Sequence, residues 1–256
     1  MSLRQLLSTD VPLLGHFIFE FATPGIGYLV RNAGADFMVF DLEHSAASFE
    51  TAKLVVLSAR AAQIPIVVRV PSRDTKDLAR ACDIGADGIM APLVSSADEA
   101  RAIVAAVRYF PEGRRGIGQV QMHDRYRIGP FAEKAAAENS SIALFLQIES
   151  REGVAQSDAI AAVPGVDCLW VGHMDLSCSF GTPAQFETQE FIEASSAIVA
   201  AARRNGKKAG RVVPNADEGA RLFQEGYQCL ALSTDTQLYQ SALASGLSAL
   251  RGRISR

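Results

Sequence analysis

Short apolar runs alternate with longer amphipathic stretches along almost the whole chain. Runs at 13–19, 37–42, 65–70, 88–93, 143–149, 167–172, 208–213 and 228–233 are rich in Val, Ile, Leu and Phe. Most are bounded by Gly, Pro or Asp, which is how strands buried on both faces read. Between them the pattern changes to a helical period. In 97–109 the residues Ala100, Ile103, Val104 and Val107 form one apolar stripe. Ser96 three before Glu99 predicts a reciprocal cap there, and Asn215 with Glu218 predicts the same before 217–225. Gly206 and Gly226 stand where helices stop. The stretch 236–252 reads as a final helix, free to swap onto a neighbouring subunit.

Eight strand candidates alternating with helices predict a closed (β/α)8 barrel, a TIM barrel of one domain over 1–256. No Gly-x-Gly-x-x-Gly follows the first strand, which argues against an open dinucleotide-binding sheet. The 256 residues agree with the roughly 250 that such a barrel takes. Residues 111–130 hold four Arg and four Gly with no apolar period, and predict a long loop.

Composition adds exclusions. A formal net charge of −3 argues against a nucleic-acid partner, which needs a basic surface. No apolar run approaches the ~20 residues of a membrane span, and MSLRQLL lacks a signal-peptide pattern. Cys82, Cys168, Cys178 and Cys229 are scattered, and are expected as reduced, buried thiols of a cytoplasmic protein.

Reactive groups of such barrels sit where strands end. Those ends carry Asp41, Glu43 and His44 after the second run, Arg69 after the third, Gln147 and Glu149 after the fifth and Asp175 after the sixth. Glu149 and Asp175 suit a hard divalent cation, whose other positions go to water and substrate oxygens. Either carboxylate could instead be a helix cap or an ion-pair partner. Arg69 suits an oxyanion developing on a keto oxygen, or a structural ion pair. His44 suits proton transfer near neutral pH, with Asp41 or Asp83 to orient it; the alternative is a solvated loop histidine. His173 is read as filling or lining its turn. Arg114-Arg115-Gly116-Ile117-Gly118 lacks the Lys-Ser/Thr of a phosphate loop and is read as structural. None of Lys53, Lys76, Lys134, Lys207 and Lys208 stands clearly at a strand's C-terminal end, which favours metal chemistry over a Schiff base.

The segments DLEHS (41–45), IVVRVP (66–71), GADGIMAPLVSSADEA (85–100), YFPEGRRGIG (109–118), LQIESREG (146–153) and VGHMDLS (171–177) together resemble the class II pyruvate aldolases of the HpcH/HpaI family. Its members include 4-hydroxy-2-oxoheptanedioate and 2-dehydro-3-deoxyglucarate aldolases. The resemblance runs from about residue 15 to about residue 240. It implies Glu149 and Asp175 as ligands of Mg²⁺, Mn²⁺ or Co²⁺, Gln147 as substrate-binding, and the Met174 backbone N–H as a contact of the keto-acid carboxylate. It implies Arg69 as the group that stabilises the enolate, His44 as acid/base, and Asp83 as the carboxylate that raises the basicity of His44 across a subunit interface. A homo-oligomer follows, typically a hexamer built of trimers. His173 replaces the proline many members carry, and 119–127 departs from the commonest pattern.

The expected reaction is cleavage of a 4-hydroxy-2-keto acid to pyruvate and an aldehyde. Two alternatives keep the site: oxaloacetate decarboxylation, and acyl-CoA cleavage of the citrate lyase type, for which Arg114, Arg115, Arg125 and Arg127 would form the phosphate groove. A third is a barrel that binds a keto acid without turnover.

Overall fold

A computed structural model describes residues 1–254. The strands are β1 (Leu13–Ile18), β2 (Phe37–Asp41), β3 (Ile66–Arg69), β4 (Gly88–Ala91), β5 (Ala143–Ile148), β6 (Cys168–Val171), β7 (Lys208–Val213) and β8 (Cys229–Thr234). They pair in parallel, in chain order, and β8 closes on β1, giving the (β/α)8 barrel that the alternation predicts. The helices are α1 (Leu3–Leu7), α2 (Ile26–Asn32), α3 (Phe49–Ala61), α4 (Thr75–Asp83), α5 (Ala97–Val107), α6 (Phe131–Ser141), α7 (Arg151–Ala155), α8 (Ser157–Ala161), α9 (His173–Ser179), α10 (Gln189–Arg204), α11 (Ala216–Gln224) and α12 (Asp235–Ile254).

Side chains alternate across each strand, so one set points into the barrel and the other meets the helices. The inward set includes Phe17, Phe37, Val39, Val67, Phe145 and Trp170, packed as one cluster. Burying each large side chain stabilises the fold by roughly 1.5–3 kcal/mol. Two glycines make room for the aromatics. A Cβ at Gly15 would lie 2.4 Å from the Phe37 ring, and one at Gly210 would lie 2.3 Å from Trp170. The outward set, with Ile18, Phe40, Val68 and Leu146, packs under the helices. Helix α1, which the apolar pattern does not announce, lays Leu3 and Leu7 against the inner cluster, and Leu3 approaches Gly88 at the start of β4.

The same alternation delivers the polar residues. Along β2 the inward sequence is Phe37, Val39, Asp41; along β3 it is Val67, Arg69; along β5 it is Phe145, Gln147, then Glu149 just beyond the strand. Apolar residues fill the barrel and the chemistry starts where each strand ends. Strand β4 stops sooner than the 88–93 run suggests. Pro92 has no N–H for a ladder, and Leu93 takes a left-handed φ of 57°.

Other expectations need correction. Ser96 caps α5 by accepting from the Glu99 N–H, but the Glu99 carboxylate accepts from Ser95 N rather than from the cap residue. Asn215 caps α11, whereas Glu218 turns to Arg221 one turn on. Cys82, Cys168 and Cys229 are buried free thiols, but Cys178 is exposed. On α9 Leu176 and Ser177 are buried, and Cys178 follows on the outer side. Helix α12 covers the predicted 236–252 and extends beyond it, yet its side chains beyond Thr236 are exposed. A groove of about 870 Å³ lies between α2, α11 and the first turn of α12, lined by Leu29, Val30, Phe223, Leu230 and Leu238 among others. Among the described residues no helix is long and apolar enough to cross a membrane.

Candidate active site

Asp41 and Arg69 are register partners at the ends of β2 and β3. Their side chains therefore meet inside the mouth, as a bidentate pair: Nε to Oδ1 at 2.6 Å and Nη2 to Oδ2 at 2.8 Å. Asp41 is fully buried and also accepts from the backbone N–H groups of Glu43 and His44, each at 3.0 Å. Its carboxylate thus shapes the turn after β2 as well as fixing the guanidinium. Arg69 lies over the rings of Phe17 and Phe19, at 5.2 Å and 5.7 Å. Phe19 is placed by Asp235, whose carboxylate accepts from the N–H groups of Phe19, Glu20 and Phe21. Neither Asp235 nor the Asp41–Arg69 pair is assigned these roles by sequence spacing, because both depend on barrel register and closure.

Gln147 bridges the two sides of the mouth. Its Oε1 accepts from Arg69 Nη1 at 3.5 Å and its Nε2 donates to Glu149 Oε2 at 2.5 Å. The other Glu149 oxygen accepts from Leu93 N at 2.6 Å. That donor depends on the left-handed conformation of Leu93. Gly172, after β6, lies against the same carboxylate: a Cβ there would fall 2.2 Å from Glu149 Oε2. A glycine is needed here for the close approach.

Electrostatics separates these groups. Burial pushes the Glu149 carboxyl up to about 7, and the charges of Glu43 and Asp175 add to the rise against hydrogen bonds from Gln147 and Leu93. Burial also raises Glu43, opposed by Arg69 and His44. Glu43 Oε2 is 3.1 Å from Arg69 Nη1 but makes no hydrogen bond, so a buried acceptor is left unpaired. Glu43, Glu149 and Asp175 thus crowd one side of the mouth with negative charge. Asp175 is exposed, on the first turn of α9. Among the described residues no group of three or more His, Cys, Asp or Glu is arranged to enclose a metal. Two carboxylates, with oxygens from solvent and substrate completing the shell, match the way Mg²⁺-like cations are held. The raised Glu149, the unpaired oxygen of Glu43 and the space kept by Gly172 fit a divalent cation between Glu149 and Asp175.

The remaining predicted residues are placed as follows. His44 is exposed at the rim, with Nε2 3.7 Å from Glu43 Oε2. Met174 is the second residue of α9, so its N–H is one that the helix cannot satisfy. His173 opens α9, with its ring 5.1 Å from Phe186; burial and then Arg211 push it down to about 3, so it stays neutral. Asp83 ends α4, and no hydrogen bond or ion pair joins it to His44 within the chain. Helices of this fold run back against the strands, so the end of α4 lies at the far side of the barrel from the mouth. A His44–Asp83 pair therefore requires two subunits. Asp83 Oδ1 instead accepts from Arg115 Nη2 at 2.6 Å. Arg115 is buried, which breaks up the basic cluster with Arg114, Arg125 and Arg127.

A parallel barrel whose C-terminal mouth sets a clamped arginine opposite two carboxylates defines an enzyme of the (β/α)8 class, built for small oxyanionic substrates. Comparison with known proteins narrows this. The model of the HpcH/HpaI aldolase/citrate lyase family matches residues 23–242, and the chain belongs to that family. It is 35% identical over 228 residues to a pyruvate aldolase of Rhizobium etli, covering 89% of this chain and 87% of the relative. It is 32% identical over 235 residues to a hydroxypyruvate/pyruvate aldolase of Chromohalobacter salexigens, covering 91% of each. The crystal structure of an HpcH/HpaI aldolase from Desulfitobacterium hafniense superposes with a TM-score of 0.92 at 31% identity, covering 98% of this chain and 97% of that one.

Proposed function

We propose that this protein is a metal-dependent pyruvate aldolase, cleaving a 4-hydroxy-2-keto acid to pyruvate and an aldehyde and running the reverse addition. The observation that carries this reading is the Arg69–Gln147–Glu149 chain across the mouth, a fixed cation at one end and an uncompensated carboxylate at the other. Mg²⁺, Mn²⁺ or Co²⁺ held by Glu149 and Asp175 would supply Lewis acidity toward the carboxylate and keto oxygens of the substrate. Arg69, locked by Asp41, faces the keto oxygen and steadies the charge that develops there as the C3–C4 bond breaks. Gln147 sets the distance between the two sites. The Met174 N–H receives the substrate carboxylate. His44 takes the proton from the C4 hydroxyl, directly or through a water, and Asp83 of a neighbouring subunit orients its ring. The test is chelation. Protein stripped with EDTA should lose cleavage and regain it on adding Mg²⁺ or Mn²⁺; full activity in EDTA would defeat the reading.

The same proposal takes the protein as a homo-oligomer, a hexamer built of two trimers. Tyr239, Leu243, Leu247, Leu250 and Ile254 recur at helical spacing on α12 and are 42–73% exposed. A neighbour's α12 laid in the groove between α2 and α11 would bury that stripe. Deleting residues 240–256 should reduce the mass seen by light scattering; an unchanged oligomer would remove α12 from the assembly.

A further inference from the structure

Arg115 belongs to a segment with no part in the mouth, yet its side chain is wholly buried. Its backbone N–H donates to Arg108 O at 2.8 Å, and Arg114 N donates to Ala105 O at 2.7 Å. Gly113 lets the turn press against α5, since a Cβ there would lie 2.4 Å from Arg108 O. This directs the guanidinium inward. Its side chain is 0% exposed and lies 4.5 Å over the Tyr109 ring. Glu138 Oε2 stands 3.5 Å from Nη1 without forming a hydrogen bond, and Nε has no partner. Among the described residues, the guanidinium's hydrogen bond is to Asp83.

Asp83 is the contrasting partner. Its side chain is 36% exposed, with Oδ1 held by Arg115 at 2.6 Å. Among the described residues no hydrogen bond occupies Oδ2, so the carboxylate is held by a donor on one side only. The segment that delivers Arg115 goes on to expose Ile117, Tyr126 and Ile128, at 65%, 52% and 93%. Exposed apolar side chains on the segment that carries Arg115 are the composition of a contact surface. Within its own chain Asp83 also lies beside His123, whose backbone N–H donates to the Asp83 carbonyl oxygen at 3.3 Å.

We infer that Arg115 is a positioning residue: it aims the free Asp83 oxygen out of the subunit, toward the imidazole of His44 on the neighbouring one. This rests on the reading that Asp83 and His44 work as a pair across the interface. Arg115 touches neither substrate nor metal, so its effect passes entirely through Asp83. A positioned acid/base contributes about 10²–10⁴-fold, and misorienting it through Asp83 should cost about 10–100-fold of that, the scale known for orienting partners at metal sites.

The experiment is a double-mutant cycle on the full-length enzyme, following kcat and KM for pyruvate formation together with oligomer mass. Asp83→Asn should lower kcat about 10–100-fold with KM little changed. Arg115→Met should lower kcat by a similar factor, and Arg115→Lys, which keeps the charge but not the fork, by less. In the Asp83→Asn background, Arg115→Met should cost nothing further. If it costs the same factor there as in the wild type, or leaves kcat unchanged alone, Arg115 is only a structural ion and the inference fails. If the Met variant does not assemble, Arg115→Lys carries the same cycle. A wild-type kcat for Asp83→Asn would sink the pairing itself, an outcome separate from the failure of Arg115.

Discussion

The two halves of the barrel mouth are built from the same kinds of residue and reach opposite electrostatic ends. On the β2–β3 side, Arg69 meets Asp41 bidentately and lies beside Glu43, under two phenylalanine rings. Arg69 and Asp41 match each other's charge there within the protein, and their geometry is fixed before any ligand arrives. On the β5–β6 side, Glu149 is just as buried, but its partners are an amide and a backbone N–H, and its nearest charges are negative. A buried carboxylate so placed is uncompensated. The protein supplies preorganisation on one side and a vacancy in charge on the other, with Gln147 as the spacer between them.

Exchanging the two kinds of environment tests this difference. The largest effect is expected at Glu149→Gln, which removes the acidic ligand. Cleavage should fall by about a thousandfold, the scale of losing several kcal/mol of Lewis-acid stabilisation. Calorimetry should find Mn²⁺ affinity weakened in parallel; full affinity would place the cation elsewhere. Next comes Arg69→Lys. An ammonium cannot hold Asp41 through two parallel bonds, so kcat should drop about a hundredfold while Mn²⁺ affinity stays near wild type. Coupled loss of metal binding would mean that the two halves are not separate.

The smallest effect concerns pH and the metal-free protein. The Glu149 carboxyl sits at about 7 against an ordinary 4.5, so the folded state holds this proton more tightly than the unfolded one. Its contribution to stability is full below about 4.5 and is lost as pH rises through about 7. Metal-free wild type should lose melting temperature across that window relative to Glu149→Gln, and Mn²⁺ should restore it at the alkaline end. Parallel melting curves for the two proteins would show that Glu149 is not strained by its surroundings.

Much of this was legible in the sequence. Eight buried strands announce themselves through runs of branched and aromatic residues, and the second, third and fifth carry polar residues where they reach the mouth. That places Arg69, Gln147 and Glu149 without a structure. What escaped has a physical reason in each case. The Asp41–Arg69 pair depends on the register between β2 and β3, which no single strand encodes. The Leu93 donor is a main-chain group, and its left-handed φ falls on a residue type that gives no signal. Arg115 reads as one more loop arginine; only the turn at Gly113 shows that it is driven inward. Glu43 reads only as one of the polar residues after the second run; the barrel sets its carboxylate beside both Arg69 and His44.

Leu93 also bears on how the entrance can change. The carboxylate is gripped there by backbone, and the side chain, 51% exposed, takes no part in the hydrogen bond. Glycine or asparagine would sit more comfortably at this φ while keeping the same N–H in place. The rim of the mouth can therefore be recoloured at this position, from apolar to polar or to bare backbone, without redrawing the metal-side geometry beneath it.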